Sequence, residues 1–306
     1  MFRAAAVKEF ARRLDDGGAD QLWVVEDCFY TAGVSLAASA LAVTDRLTVG
    51  LGVLPAVARN AAITAMEIAT LSALAPGRVL AGIGHGVQSW MEQIGVRPQS
   101  PLTALEEVIT TVRRLLDGEA VTFHGRYVSL DDVRLVQPPA DPPPILAGVR
   151  GPKSLALAGR VASGVVLAEP ASPTHVRQAL DRAGNPAGFR VAAFSMLHVA
   201  ADRASAYEAM APWLAVMLTN PNVEFRVLPF FDEMVARVAA DGPATLRQMP
   251  SDWWQEIGPI GTMDDAHAHI AALEAAGADS VALWPTDDVE VAMRQVDDVL
   301  RLARRG

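Results

Sequence analysis

Two carboxylates and the only cysteine of the chain follow directly on a short apolar run. Residues 22–30 read LWVVEDCFY, so Glu26, Asp27 and Cys28 stand where a buried strand would end. Carboxylates in such a place can transfer protons or orient a ligand, or they can simply face water at a turn. Two neighbouring carboxylates oppose a thiolate, and a lone cysteine is more often a small buried apolar residue. We therefore expect Cys28 to form part of a pocket wall.

A histidine between two glycines follows a second apolar run. In Gly84-His85-Gly86, the glycines would let the backbone approach a flat or anionic ligand, and His85 could exchange a proton near neutral pH. A tight turn with a hydrogen-bonded histidine explains the same residues without any function. Both interpretations stay open at this point.

The stretch GPKS, residues 151–154, opens a helical segment. Pro152 suits the first helical position, where free N–H groups favour phosphate, although ordinary helices start in the same way. Other chemistries lack their motifs, because the chain contains no G-x-S-x-G, no G-x-x-x-x-G-K and no H-E-x-x-H. His267 and His269 are two residues apart on a predicted helix, so we expect a solvated helix surface and no metal site.

Short apolar runs alternate with segments of helical periodicity along the whole chain. The predicted strands are 22–26, 47–53, 79–83, 144–149, 165–168, 191–199 and 280–284, and the predicted helices are 5–16, 35–44, 61–74, 102–116, 152–161, 174–183, 264–276 and about 289–304. Such repetition predicts a parallel sheet, and the absence of a G-x-G-x-x-G in the first unit argues against an open doubly wound sheet. We predict an α/β fold, a TIM (β/α)8 barrel forming one domain over residues 1–306. Its reactive groups would gather at the carboxyl ends of the strands.

Three segments depart from the regular alternation. The first strand is predicted to be shortened to the stub MFRA, unless the chain starts further upstream. Residues 119–130 alternate around His124 and Gly125 and predict a small hairpin after the fourth helix. Residues 220–260 are aromatic and proline-bearing, which predicts an insertion before the eighth strand that covers the mouth of the barrel. A simple packing cluster would explain its aromatic residues equally well.

Composition bounds the possible partners. The 306 residues carry a formal net charge of −9, which argues against a nucleic-acid surface, and no apolar run is long enough for a membrane. One cysteine fits a reducing compartment. We predict a cytoplasmic protein that acts on a small molecule.

The order of these motifs resembles the bacterial luciferase-like superfamily of flavin- and deazaflavin-dependent oxidoreductases, in particular the group related to methylenetetrahydromethanopterin reductase. The resemblance covers most of the chain and is strongest between residues 21 and 164. Four stretches carry it: QLWVVEDCF, RLTVGLGVLPAVARNAAITAMEIATLSALAPGRVLAGIGHGV, LEEVITTVRRLLDGEAVTFHGRYVSL and PPPILAGVRGPKSLALAGRVASGVVLAEP.

The resemblance implies a set of site residues. Those implied to contact the cofactor are Asp27, Cys28, Gly52, Val53, Gly84, His85, Gly86, Gly148, Gly151 and Pro152. Among them, Gly52 and Val53 match a non-prolyl cis peptide beside the ring, and Gly151 and Pro152 match the helix start that meets the cofactor phosphate. The chain departs from the family twice, since Cys28 replaces a histidine and Val87 stands where some relatives have a glutamate. The candidate catalytic residues are therefore His85 as leading proton donor, Asp27 and Glu169.

The activity implied by the resemblance is hydride transfer between coenzyme F420 and a small organic substrate. An FMN-dependent monooxygenase is the alternative, and a non-catalytic relative that has lost its cofactor is a second one. The resemblance also implies a homodimer. Residues 61–74, AAITAMEIATLSAL, are apolar nearly all round and would be buried within the fold or across a two-fold interface.

Overall fold

The computed structural model describes residues 4–284 and 289–303, which form two compact units. We call residues 4–166 and 182–190 the amino-terminal unit, and residues 167–181, 191–284 and 289–303 the carboxyl-terminal unit. Each unit contains parallel strands and flanking helices. The predicted alternation of strands and helices is confirmed in both.

The amino-terminal unit is built on parallel strands that are neighbours in one order. These strands are β1 (Gln21–Val24), β2 (Thr48–Pro55), β3 (Val79–Gly84), β6 (Ile145–Gly148) and β7 (Gly164–Leu167), and between β3 and β6 the antiparallel pair β4 (Val121–His124) and β5 (Ser129–Val133) forms the predicted hairpin. Every residue of β3 is buried. Strands covered on both faces need such continuous apolar sequence, and this explains the lack of polar alternation.

Helices follow the parallel strands of this unit. Their bounds are η1 (Ala4–Ala6), α1 (Val7–Gly17), α2 (Gly33–Leu41), α3 (Ala61–Leu74), α4 (Gln88–Gln93), α5 (Pro101–Leu116) and α6 (Pro152–Val161). Local chemistry sets several of the helix starts. The Asn60 side chain accepts a hydrogen bond from the N–H of Ala62 at the start of α3, and prolines begin α5 and α6.

The carboxyl-terminal unit pairs short parallel strands and contains most of the remaining helices. Its elements are α7 (Pro173–Ala183), β8 (Arg190–Met196), β9 (His198–Val199), α8 (Arg203–Thr219), α9 (Val223–Arg226), α10 (Phe231–Asp241), η2 (Pro243–Gln248), α11 (Ser251–Ile257), β10 (Ile260–Gly261), α12 (Met263–Ala275), β11 (Ser280–Trp284) and α13 (Val289–Ala303). Strand β8 pairs with β11 and strand β9 pairs with β10.

The segment predicted as an insertion, residues 220–260, is helical and contributes aromatic residues to a core of its own. Trp254 is fully buried and stacks on Tyr207 with ring centroids 4.8 Å apart, and Phe230 stacks on Trp253 at 4.6 Å. These contacts favour the packing explanation for the aromatic residues. That the segment covers the mouth of a barrel stays a prediction.

Other details differ from the sequence predictions. The predicted stub of a first strand falls largely on residues 1–3, which lie outside the described residues, and residues 4–6 form a 3-10 helix. The predicted strand 191–199 is divided into β8 and β9. Helix α4 was missed, because six residues are too few to show a period. Among the described helices, none is long and apolar enough to cross a membrane.

Candidate active site

The amino-terminal unit brings four candidate loops to one edge of its strands. Parallel pairing aligns Val24 with Leu51, Pro55 with Gly84, and Gly84 with Gly148. The segments that follow β1, β2, β3 and β6 therefore leave the same edge of the sheet, where reactive groups gather in parallel α/β folds. The predicted site residues from Asp27 to Pro152 stand on or beside these segments.

Val53 fills a space that three glycines leave free. A Cβ atom added to Gly82, Gly84 or Gly148 would lie 2.8, 2.7 or 2.6 Å from a Val53 methyl carbon. Larger residues at these positions would collide with Val53, so the glycines fix where the end of β2 lies. The peptide bond between Gly52 and Val53 is cis, which confirms the expectation from the resemblance.

Glu26 is committed to an ion pair. Its carboxylate binds Arg59 through two hydrogen bonds of 2.6 and 3.0 Å and accepts a third, of 3.0 Å, from the N–H of Gly33. Arg59 also contacts Glu67 on α3 at 3.2 Å. Together these bonds hold the loop after β1 against α2, the loop after β2 and α3. Of the two adjacent carboxylates, Glu26 is therefore the structural one.

Arg59→Met is expected to lower the free energy of unfolding by about 1–3 kcal/mol, because Glu26 would keep a largely desolvated carboxylate without its cation. The side chain of Glu26 is only 10% exposed. Urea unfolding measures the change, with the double variant Glu26→Gln, Arg59→Met as the matched control. Recovery of stability in the double variant is expected; an equal loss in both would contradict this explanation.

Asp27 is the carboxylate available for chemistry. Burial raises the pKa of Asp27 above its usual value. Its carbonyl oxygen accepts a hydrogen bond of 2.8 Å from the N–H of Tyr30 and closes a turn. Cys28 is a partly exposed free thiol, joined to Phe29 by a cis peptide bond that the sequence did not lead us to expect. A carboxyl held partly out of water is suited to carry a proton at higher pH than an exposed one.

His85 bridges β3 to the start of α6. Its Nε2 lies 2.9 Å from the hydroxyl oxygen of Ser154, while Nδ1 is buried. Burial lowers the pKa of His85, and a hydrogen bond with the backbone of Pro101 opposes this more weakly. Gln88 donates to the carbonyl oxygen of His85 at 3.1 Å and fixes the loop. The ring is therefore neutral at pH 7.

Sequence reasoning quoted Ser154 as part of GPKS without giving it a role. Its hydroxyl is 69 positions from His85 in the chain, so only the fold shows the contact. The available signal was position, because a serine in the first helical turn can bind a ligand or a neighbouring loop through its hydroxyl.

The start of α6 has room for an anion. Gly151 is the N-cap residue and makes no side-chain capping hydrogen bond, and a Cβ atom placed on it would meet nothing within 4 Å. Pro152 follows as the first helical residue. Uncapped N–H groups and open space at a helix start suit a phosphate group. The residues present therefore fit the phosphate of a flavin-like cofactor.

Glu169 belongs to the carboxyl-terminal unit. Its carbonyl oxygen accepts a hydrogen bond of 3.1 Å from the side-chain amide of Asn222, and its peptide bond to Pro170 is cis. The catalytic role of Glu169 stays a prediction.

The expectation of a solvated surface at the histidine pair is wrong for His269. This residue is 1% exposed, with Nδ1 2.6 Å from the carbonyl oxygen of Gln255 and Nε2 3.2 Å from the hydroxyl of Ser195. Burial lowers the pKa of His269 to about 4, so a neutral ring with both nitrogens hydrogen-bonded is buried there. Within the described ranges, no cluster of three or more His, Cys, Asp or Glu side chains is placed to hold a metal ion.

Comparison with known proteins identifies the family. The family model described as luciferase-like monooxygenase matches residues 2–280. The chain belongs to the luciferase-like family. Two curated relatives are the 5,10-methylenetetrahydromethanopterin reductase of Methanolobus tindarius, 33% identical over 53% of this chain and 49% of that protein, and the F420-dependent glucose-6-phosphate dehydrogenase of Nakamurella multipartita, 33% identical over 43% and 40%. The chain spans about half the length of the curated relatives it matches, or less.

Solved luciferase-like structures share the fold. The coenzyme F420-dependent tetrahydromethanopterin reductase of Methanopyrus kandleri matches 98% of this chain and 94% of its own with a TM-score of 0.79 and 21% identity. The oxygenating constituent of 3,6-diketocamphane monooxygenase from Pseudomonas putida, in complex with FMN, matches 98% and 92% with a TM-score of 0.70 and 15% identity. The predicted α/β barrel of a luciferase-like oxidoreductase is confirmed at the level of fold and family.

Proposed function

We propose that the protein is an F420-dependent oxidoreductase acting on a small organic substrate. The observation that carries the proposal is the arrangement in the amino-terminal unit. There, the uncapped start of α6 and the segments after β1, β2 and β3 leave one edge of the parallel strands. The curated relatives named above support F420 over FMN, because their names specify F420 or its reductase chemistry. When bound, the deazaflavin supplies or accepts the hydride.

Each residue of the site has a distinct part in this proposal. The amides of the first turn of α6 bind the cofactor phosphate, and the backbone at Gly52 and Val53 supports the ring. Asp27 holds the proton that accompanies hydride transfer on its carboxyl oxygen, since burial raises its pKa. Glu26 and Arg59 position Asp27 through the ion pair beside it.

Titration of the purified protein with F420 and with FMN tests the proposal. We expect micromolar binding of F420, and a Gly151→Asp variant should bind it at least about tenfold more weakly, because a carboxylate there would cap α6 and repel phosphate. Thermal unfolding checks that the variant stays folded, as expected from the open space around Gly151. Binding of neither cofactor at micromolar concentrations would contradict the proposal.

An FMN-dependent monooxygenase is the second candidate, because structural neighbours include one solved with FMN. The phosphate site at α6 would serve either cofactor. Oxygen consumption with reduced FMN separates the two activities, since F420 chemistry does not use oxygen. A non-catalytic relative is the third candidate, favoured by Cys28 and Val87 at positions where the family has histidine and glutamate, and absence of a thermal shift with both cofactors would support it.

A homodimer is proposed through α3. This helix buries one face in the amino-terminal unit and exposes Ile63 and Met66, which are 44% and 49% exposed and lie three residues apart on the other face. We expect light scattering to give the dimer mass for the unmodified chain and a monomer mass for Met66→Glu. Val136→Glu, which changes a 96% exposed side chain elsewhere, is the matched control and should remain dimeric. Monomer mass for the unmodified chain would refute the dimer.

A further inference from the structure

Ser154 connects His85 to the turn proposed to hold a phosphate. It is the third residue of α6, so its backbone lies in the first turn, and its hydroxyl oxygen is 2.9 Å from Nε2 of His85. No other hydrogen bond to either ring nitrogen of His85 is shorter or comparable among the printed side-chain contacts of the amino-terminal unit, and Nδ1 is enclosed. The hydroxyl thus faces both the ring and the helix start.

A hydroxyl group has one proton to donate, and this links the two sites. If an anion in the first turn of α6 takes the proton of Ser154, the serine oxygen is left as an acceptor. The neutral ring of His85 must then carry its proton on Nε2 in order to keep the hydrogen bond. Without an anion, Ser154 is free to donate to Nε2, and the ring proton can reside on Nδ1.

We propose that a phosphate group bound at the first turn of α6 fixes the tautomer and orientation of His85 through the hydroxyl of Ser154. Ser154 is a positioning residue in this proposal, since it acts through His85. The location of the phosphate rests on the proposed function, whereas the hydrogen bond does not.

The coupling has a consequence for proton transfer. With its proton on Nε2 and bound to Ser154, His85 offers no proton to a substrate unless that hydrogen bond breaks. The phosphate-bound site would then hold His85 as a fixed neutral ring and leave Asp27 as the group that carries a proton. Occupancy of α6 would in this way decide between the two candidate proton donors.

Nitrogen-15 NMR of the histidine side chains in the full chain tests the coupling. Spectra are recorded at constant ionic strength with and without inorganic phosphate, and the His85 signals are assigned by their loss in His85→Gln. With phosphate, we expect Nε2 of His85 to show the chemical shift of a protonated nitrogen. Ser154→Ala should abolish this response and weaken phosphate binding by about 2- to 10-fold, the effect of one lost hydrogen bond. Ser154→Thr keeps the hydroxyl and should retain the response.

Two outcomes overturn the coupling: His85 signals that do not move at saturating phosphate, and an equal response in Ser154→Ala. Failure of the proposed function is recognised separately. The same spectra recorded with F420 and FMN would then show no binding, while inorganic phosphate would still move the His85 signals. The Thr variant guards against misfolding, because a loss of response in Ala but not in Thr assigns the effect to the hydroxyl.

Discussion

Asp27→Asn is expected to lower kcat by about 10²- to 10⁴-fold, the usual contribution of a positioned acid or base. The amide has nearly the same shape as the carboxyl group but cannot release a proton. Since Asp27 acts on the proton rather than on the cofactor phosphate, the Kd of F420 should change by less than about threefold, well under 1 kcal/mol. Steady-state kinetics, with cofactor binding measured separately, checks both expectations.

His85→Gln is the matched comparison for Asp27→Asn. The glutamine amide can still bond to Ser154 but cannot carry an ionisable proton. If Asp27 is the acid, the kcat of His85→Gln should fall much less than that of Asp27→Asn. The reverse order would make His85 the proton donor and would contradict the assignment to Asp27.

The pH dependence of Asp27 has a defined sign. Burial raises its pKa in the folded chain, so the carboxyl contributes stability below its unfolded pKa, and this is lost as the pH rises through the folded value. A rate that requires the protonated carboxyl falls over the same range. Asp27→Asn should therefore remove this pH dependence and should not be less stable than the unmodified chain at pH 7. Its loss of activity could then not be explained by unfolding.

Gly84→Ala is expected to lower the free energy of unfolding by about 1–3 kcal/mol, the usual cost of overpacking a filled interior, and to abolish cofactor binding. The added Cβ would lie 2.7 Å from the carbonyl oxygen of Gly148 and 2.7 Å from a methyl carbon of Val53. A backbone oxygen cannot withdraw without moving β6, and displacement of Val53 disturbs the end of β2. Urea unfolding and cofactor titration measure the two effects.

Gly151→Ala is the control for stability. Gly151 has φ −85° and ψ 156°, which alanine adopts readily, and an added Cβ there would meet open space. Its free energy of unfolding should stay within about 0.5 kcal/mol of the unmodified value. Similar losses in the two variants would show that the space around Gly84 is not tight.

The strands and helices could largely be predicted because their signals are local. Helix α6 was predicted with the observed bounds, 152–161, since a proline in the first position and an apolar period mark it. The rule that loops meet at the carboxyl ends of parallel strands placed Asp27, Gly52, His85 and Gly151 at one edge, as observed. Cytoplasmic location, in contrast, stays a prediction from composition.

The contacts that define the site could not be predicted, because they join residues far apart in the chain. Arg59 pairs with Glu26 across 33 positions, and Ser154 meets His85 across 69. The burial of His269 was missed for the same reason, since its hydrogen-bonding partners Ser195 and Gln255 belong to other elements. Periodicity indicates which residues share a helix face but not what packs against that face.

Hydrogen exchange measured with and without F420 tests most directly that these loops form one cofactor site. We predict that bound cofactor slows exchange in four segments: 25–32, 52–60, 84–88 and 149–155. FMN should protect the same segments if it is the natural cofactor. Protection confined to other parts of the chain, or none in the presence of saturating ligand, would contradict the account.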